Sequence, residues 1–290
     1  MRKKDQPLNV FDLFELETRI QVMEVGAAAI TEVPVYKPLL DLGLAHLNAF
    51  EGDKRHVEKI QQTWGANATV FSDFLYDGDE QNLYLAKLPE SGMTSLLKPN
   101  QNALKFFNLF EFFGEIATVE KMKTRRLDDI NEITGLNLIK MDIQGAELTV
   151  LQNGVSKLKD CVAIQLEVSW TCLYEDQPSF GEVDVWMRSQ GFTPHCMLDL
   201  KRWSIKPTLY DNNPRKPGNQ LLESDIVYVR DPLCLDLLSV EQLKKMATIM
   251  HYCLQSIDLC VFVLLELEKR GNLPKGSHEH YMTRLAEFST

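Results

Sequence analysis

LIKMDIQGAELTVL, residues 138–151, is the stretch that decides the fold. Residues 138–143 form a short apolar run interrupted by one carboxylate, Asp142, as is typical of a buried parallel strand. Gly145 then allows a sharp turn, and residues 146–151 have the pattern of an amphipathic helix. Open α/β sheets bind their ligands at the carboxyl ends of strands, so Asp142 is the first candidate for chemistry.

The same motif has a simpler explanation. A strand, a turn and a helix occur in many folds, and Asp142 or Gln144 could do no more than cap the helix. This stretch alone supports both explanations equally, so the rest of the chain has to decide between them.

Composition excludes some classes of function. The chain has 290 residues and is 44% hydrophobic, enough for a large core. Its net charge of −10 argues against a nucleic-acid partner, which normally requires a basic face. The six cysteines show no metal-ligand spacing and are typical of reduced cytosolic thiols. No signal peptide is apparent, and the longest apolar run, 259–265, is too short to span a membrane, so we expect a soluble, cytoplasmic protein.

Strand-like and helix-like segments alternate along most of the chain. Strands are predicted at residues 20–25, 44–50, 68–71, 81–86, 118–123, 138–143, 162–168, 192–198 and 225–230. Helices are predicted at residues 11–17, 38–43, 53–64, 127–134 and 180–190. This βαβα order indicates an α/β fold, with a mostly parallel sheet covered by helices on both faces.

Beyond residue 233 the pattern is helical only. Helices are predicted at 240–253, 256–270 and 281–288, so we divide the chain into a main domain, residues 1–233, and a C-terminal helical extension, residues 234–290. One helical stripe is apolar and either packs on the main domain or forms a homodimer contact, packing being the more common role. Its members are Leu254, Ile257, Val261, Leu264 and Leu265.

Acidic residues lie at three strand ends. Glu24 lies just before Gly26, Glu51 follows the second strand, and Asp73 follows the third. A glycine turn lets backbone approach a ligand, and an acid after the second strand can accept hydrogen bonds from a ribose diol. NAD and S-adenosylmethionine both carry this diol, so both cofactors fit the acids.

The glycine pattern separates the two cofactors. A dinucleotide site needs GxGxxG followed at once by a helix, whereas here only Gly26 is present and Pro34 delays the helix. The turn therefore suits a ligand without phosphates, which disfavours an NAD-dependent oxidoreductase. A non-catalytic binding or scaffold protein with the same fold remains the alternative, although a scaffold has no need for acids at successive strand ends.

The sequence resembles the FkbM-type methyltransferases, a branch of the S-adenosylmethionine-dependent class I fold, over almost the whole chain. The resemblance rests on MEVGA at 23–27, AFEGD at 49–53, MTSLLKPN at 93–100, RRLDDI at 125–130, IKMDIQGAELTVLQNG at 139–154, LEVSWTCLYEDQPSFGEVDVWMRSQGF at 166–192 and QLLESDIVYVRD at 220–231. It implies a doubly wound, mostly parallel, Rossmann-like sheet of seven strands. One antiparallel edge hairpin completes that sheet, and the last two predicted strands can supply it.

The resemblance also implies S-adenosylmethionine as the cofactor and assigns residues to it. Those expected to bind it are Glu24, Gly26 and Ala27 in the first turn, Glu51 at the ribose, Ser72 and Asp73 at the adenine, and Asp142 beside the methyl group. Thr94 and Ser95 fall in a segment expected to line the cleft.

The implied reaction is methyl transfer to a hydroxyl of a sugar, a glycan or another secondary metabolite. Asp142 is the first candidate for the base or for orienting the acceptor, with Glu167, His195 and Glu147 behind it. A divalent metal held by Asp142 and Glu167 is conceivable, but two carboxylates without a third ligand are thin support. Residues 201–218, rich in Pro, Asn and charge, are expected to form a mobile lid over the acceptor.

Overall fold

A computed structural model describes residues 13–26, 33–51 and 54–288. The strands are β1 Ile20–Val25, β2 Ala45–Phe50, β3 Ala68–Phe71, β4 Phe74–Leu75, β5 Glu80–Ala86, β6 Ile116–Arg125, β7 Leu136–Met141, β8 Ala163–Ser169, β9 Phe192–Trp203 and β10 Gln220–Arg230. The α-helices are α1 Lys37–Asp41, α2 Lys54–Trp64, α3 Gln101–Phe106, α4 Phe110–Phe113, α5 Glu147–Gln152, α6 Phe180–Ser189, α7 Val240–Ile249, α8 Ile257–Lys269 and α9 Ser277–Phe288.

The main sheet has seven strands in the order β3-β2-β1-β7-β8-β10-β9. The first five are parallel, whereas β10 runs antiparallel to both β8 and β9. Because β1 and β7 lie side by side at the centre, the turns after them meet at one edge of the sheet. The predicted doubly wound sheet with an antiparallel edge hairpin is confirmed.

A second, three-stranded sheet has the order β4-β6-β5. The strands predicted at 81–86 and 118–123 belong to it and not to the main sheet. Most side chains of β6 are exposed, so this sheet contributes little to the core. Apolar alternation predicts a strand but not its partner, which is why the sequence could not separate the two sheets.

Four helical segments differ from the prediction. The described part of 11–17 contains no helix, and only Leu127–Asp129 of 127–134 is helical, as a single 3-10 turn. Helices α3 and α4 were not predicted. The side chain of Asn100 caps α3 by accepting hydrogen bonds from two backbone N–H groups. An asparagine before a helix is a sequence signal for its start, whereas the six residues of α3 are too few to show a helical pattern.

Helices cover both faces of the main sheet. On one face, Ile139 and Leu166 pack in the same core as residues of α5 and α6, including Val150 and Met187. On the other face, sheet residues share a core with α1, α2 and the C-terminal helices; this core includes Val22, Leu47, Leu138, Val227, Leu243, Met246, Val263 and Leu264.

The apolar stripe of the extension packs into this second core. Leu264 is fully buried, and Leu254, Ile257 and Val261 pack partly buried against the core, while Leu265 stays 40% exposed. Packing on the main domain, the first of the two expected roles, is therefore observed. Among the described residues, no helix has the length and hydrophobicity needed to cross a bilayer.

Candidate active site

The ends of three parallel strands are joined by backbone contacts. The N–H of Gly26 donates to Phe50 O at 3.3 Å, and the N–H of Asp142 donates to Val25 O at 3.2 Å. Gly26 has φ +83°, and a Cβ at this position would lie 2.1 Å from the carbonyl oxygen of Asp142. The turns after β1 and β7 are therefore in direct contact, and only glycine fits at this position.

Gln144 links the carboxylates at the ends of two neighbouring strands. Its Nε2 donates to Asp142 Oδ1 at 2.9 Å and to Glu167 Oε2 at 2.9 Å, and its Oε1 accepts from the hydroxyl of Tyr174 at 2.8 Å. Glu167 therefore lies close to Asp142. The sequence did not predict that Gln144 would link the two carboxylates. That link depends on side chains from two strands, which no local pattern reveals.

Glu167 lies in a strongly charged, buried setting. Burial raises its pKa well above the ordinary value, the negative charges of Asp142 and Glu223 raise it further, and Lys201 opposes them. The ammonium of Lys201 lies 3.3 Å from Glu167 and 2.7 Å from Glu223. Burial alone would lower the pKa of Lys201, but these two carboxylates raise it overall, so Lys201 stays charged.

Glu24, expected to bind the cofactor, is instead fully engaged within the protein. Its Oε1 accepts from Lys140 at 2.8 Å, and its Oε2 accepts a short hydrogen bond from Tyr36. Burial alone would lower the pKa of Lys140, but the Glu24 carboxylate outweighs this effect and raises it. Glu24 thus ties β1 to β7 and to the residue before α1.

The acids after β2 and β3 differ in their surroundings. Glu51 is only 8% exposed, and its backbone N–H donates to Phe71 O at 2.9 Å. Asp73 is paired with Arg125 at 3.2 Å, so one of its oxygens is engaged within the protein. Ser72 is exposed at the end of β3. Ala27 lies outside the described residues.

Glu147, which the sequence allowed to face solvent, is buried with 5% exposure. Its Oε1 accepts from the N–H of Ile143 at 2.9 Å and of Gly145 at 3.3 Å, so it holds the turn in front of α5. Burial raises its pKa to about 7, although hydrogen bonds from the backbone oppose the rise. These contacts give Glu147 a structural role.

His195 is not brought to this site. It lies six positions before Lys201 on β9, about 20 Å along an extended strand. Its Nε2 is hydrogen-bonded to Ser256 Oγ at 2.8 Å, and burial lowers its pKa. The contact joins the edge strand to the C-terminal helices, so the structure does not bring His195 together with Asp142 and Glu167.

Of the cleft residues, Ser95 reaches the turn after β7. Its hydroxyl donates to the carbonyl oxygen of Gln144 at 2.8 Å and accepts from the N–H of Leu97 at 2.9 Å. Thr94 accepts from the N–H of Ala86 at 3.2 Å, which fixes its own loop.

The segment expected to be a mobile lid is partly ordered strand. Its first three residues, 201–203, belong to β9. Asn108 then fastens the residues after the strand: its Nδ2 donates to Ser204 Oγ and to Thr208 O, each at 2.8 Å, and its carbonyl accepts from Trp203 Nε1 at 2.8 Å. These hydrogen bonds fix residues 203–208 to Asn108.

Among the described residues, no group of three or more His, Cys, Asp or Glu side chains is arranged to hold a metal ion. Between Asp142 and Glu167, Nε2 of Gln144 donates to one oxygen of each carboxylate. These two oxygens are therefore already hydrogen-bonded within the protein.

The residues at this edge fit S-adenosylmethionine. Glu51 and Asp142 flank the Gly26 turn, and carboxylates in that position suit a ribose diol and a positively charged sulfonium. Lys140, a cation close to Asp142, is already paired with Glu24.

Comparison with known proteins gives one family. The family described as "Methyltransferase FkbM domain" matches residues 25–194, more than half of the chain. The match spans the end of β1 to the start of β9, and so includes the Gly26 turn, Glu51, Asp142 and Glu167. A search of curated proteins found no significant match.

Solved structures share only a distant likeness with the chain. One is the magnesium protoporphyrin IX methyltransferase of Synechocystis PCC 6803 with bound S-adenosylmethionine, at 10% identity over 74% of this chain and 71% of that one, with a TM-score of 0.36. Another is a precorrin-6y C5,15-methyltransferase of Geobacter metallireducens, at 9% identity over 76% and 84%, with a TM-score of 0.35. A third, a protein in the NADB-Rossmann superfamily from Streptococcus agalactiae, has 12% identity over 98% of both chains and a TM-score of 0.36.

Proposed function

The chain belongs to the FkbM methyltransferase domain family, whose chemistry is S-adenosylmethionine-dependent methyl transfer, and from this premise we propose that the acceptor is a hydroxyl group of a sugar, a glycan or another secondary metabolite. One observation carries the proposal. Asp142 follows the central strand β7 with Oδ1 held by Gln144, and the described residues give no hydrogen-bond partner to Oδ2. Such an oxygen is available to an acceptor hydroxyl.

We assign the cofactor to the ends of β1, β2 and β3. Bound S-adenosylmethionine supplies a methyl group made electrophilic by a positively charged sulfonium. We propose that Glu51 accepts hydrogen bonds from the ribose diol and that Gly26 lets the backbone approach the cofactor closely. Ser72 and Asp73 are proposed adenine contacts. Glu24 and Ala27 are proposed cofactor contacts in the first turn.

Asp142 is proposed as the base. As the acceptor oxygen bonds to the methyl carbon, the carbon–sulfur bond breaks and the hydroxyl proton passes to Oδ2 of Asp142. A positioned base contributes about 10²- to 10⁴-fold, and alignment of the reacting atoms supplies much of the remaining rate. Burial and the charge of Asp142 raise the pKa of Glu167, so Glu167 is a poorer candidate for a group that is charged throughout the reaction.

Cofactor binding is the first experiment. Thermal unfolding is compared with and without S-adenosylmethionine or its demethylated product, with NAD as the control ligand. A ligand at a hundred times its dissociation constant stabilises the folded state by about 2.7 kcal/mol, a shift of several degrees. We expect the shift with the methyl donor, none with NAD, and a smaller one for Glu51→Ala. A folded protein that responds to neither would contradict the proposed cofactor site.

Methyl transfer is the second experiment. Incorporation of a labelled methyl group is screened over sugars, glycans and other hydroxylated compounds. We expect Asp142→Asn to lower kcat by about 10²-fold or more, because the amide keeps the shape but takes up no proton. Transfer to amines alone would refute the hydroxyl assignment.

A further inference from the structure

We infer that Gln144 is a positioning residue for methyl transfer: its amide holds Asp142 and Glu167 in fixed relation and leaves the second oxygen of Asp142 turned to the acceptor. The inference rests on the proposed function, in which Asp142 is the base. Glutamine is not a residue type expected in acid–base chemistry, because its amide neither gives nor takes a proton near neutral pH.

The amide makes the contacts that this role needs. Its two hydrogens go to two different carboxylates, Oδ1 of Asp142 and Oε2 of Glu167, each with an Nε2···O distance of 2.9 Å. Like charges this close repel each other, and a shared donor between them offsets part of that repulsion. The hydrogen bond to Oδ1 restricts rotation of the Asp142 carboxylate, and this fixes the orientation of Oδ2.

The backbone of Gln144 is held as firmly as its side chain. Its φ is +58°, in the left-handed region that residues other than glycine seldom adopt. Its carbonyl oxygen accepts from the hydroxyl of Ser95 at 2.8 Å. Such a conformation persists only where surrounding contacts impose it, and its position directly between a strand-end acid and a helix is typical of functional sites.

Tyr174 fixes the orientation of the amide. Its hydroxyl donates to Oε1 of Gln144 at 2.8 Å, and the side chain is 2% exposed. Burial raises the pKa of Tyr174, and the charge of Glu167 raises it further, so the hydroxyl keeps its proton and remains a donor. A reversed amide would place Oε1 against two carboxylates and Nε2 against the tyrosine hydrogen, so only one orientation satisfies all the groups.

Three substitutions test this role. Gln144→Asn keeps the amide and tolerates the left-handed backbone, but it is one methylene too short to reach both carboxylates. Gln144→Glu keeps the length and replaces the donor by a third acid. Tyr174→Phe keeps the packing and removes only the hydroxyl that orients the amide. Gln62→Asn, on the exposed face of α2, is the matched control for the first change.

One measurement needs no acceptor. The side-chain carboxyl carbons of glutamate are labelled with ¹³C, the Glu167 signal is assigned with Glu167→Gln, and its titration is followed by NMR. Loss of a donor to the charged form should raise the pKa of Glu167 by about one unit in Gln144→Asn and in the same direction in Tyr174→Phe. An unchanged titration in folded Gln144→Asn and Tyr174→Phe would overturn the inference.

Kinetics separate this inference from the proposed function. With an acceptor found in the methyl-transfer screen, we expect Gln144→Asn to lower kcat at least tenfold and to move the acid limb of the pH–rate profile, with cofactor Kd within twofold. Equal loss of kcat and cofactor affinity would indicate a structural role only and overturn the inference. A wild-type protein that methylates nothing, with Glu167 responding as predicted, would refute the proposed function and leave the Gln144 geometry standing.

Discussion

Replacing Glu147 by glutamine should make the protein more stable at alkaline pH, although it alters a buried side chain inside the most distinctive motif. The carboxyl group is 5% exposed, and its pKa is raised to about 7 from an ordinary 4.5, first of all because of burial. The folded state therefore holds this proton more tightly than the unfolded state does. Stability associated with the proton is complete below about pH 4.5 and is lost as the pH rises through about 7.

The magnitude follows from the pKa. Each unit corresponds to about 1.36 kcal/mol, so the rise from 4.5 to about 7 amounts to about 3 kcal/mol at pH 8 as an upper value. Glutamine has no carboxyl group to ionise, so it does not lose this stability as the pH rises. Both backbone N–H groups, of Ile143 and Gly145, donate to the same oxygen, Oε1, which glutamine retains. We expect Glu147→Gln to match the wild type near pH 4.5 and to exceed its stability by about 1 to 3 kcal/mol at pH 8.

Urea unfolding of both proteins at pH 5 and pH 8 measures this difference. Glu132→Gln, an exposed change of the same kind, is the control and should shift stability by no more than about 0.5 kcal/mol at either pH. A stability difference between Glu147→Gln and the wild type that is the same at both pH values would refute the reasoning. So would a variant that is less stable than the wild type at pH 8.

Three further outcomes are expected. Gly26→Ala should weaken cofactor binding at least tenfold by calorimetry, because its Cβ would meet backbone at 2.1 Å, whereas Gly43→Ala, also at positive φ but with nothing within 4 Å, should leave the affinity unchanged. Lys140→Met should lower the free energy of unfolding by about 3 kcal/mol or more in denaturant titrations, because it leaves Glu24 buried without its cation, and adding Glu24→Gln should recover part of the loss. Deleting 211–218 should reduce acceptor turnover more than cofactor affinity; equal loss of both would contradict a role in acceptor binding.

Local patterns predicted the main sheet well. The apolar run at 138–143, the glycine after it and the acids at strand ends are each set by a few neighbouring residues, and the structure has β7, the turn and α5 where these patterns place them. Strand ends were less accurate. β9 continues to Trp203, because its last residues pair with β10 although their side chains are mostly exposed and carry no apolar alternation.

The site was predicted in its position but not in its internal contacts. The sequence identified Glu24 as a ligand-binding acid, but it did not indicate that Lys140 on the adjacent strand faces it in register. The signal was present, because a single lysine in a buried strand needs a partner. The sequence indicated Gln144 only as a possible helix cap, because its contact with Glu167 depends on a carboxylate 23 positions away that becomes its neighbour only when β7 and β8 pair.

The shared core of the sheet and the C-terminal helices has a consequence for synthesis. The apolar face formed by Val22, Leu47 and Leu138 is covered in part by residues of α7 and α8, which a ribosome makes after every strand of the sheet. Until those helices emerge, the nascent chain presents this face to other chains or to chaperones. A protein truncated near residue 233 would keep every residue assigned to catalysis. It would lack the helices that cover this apolar face, and the exposed face would favour aggregation.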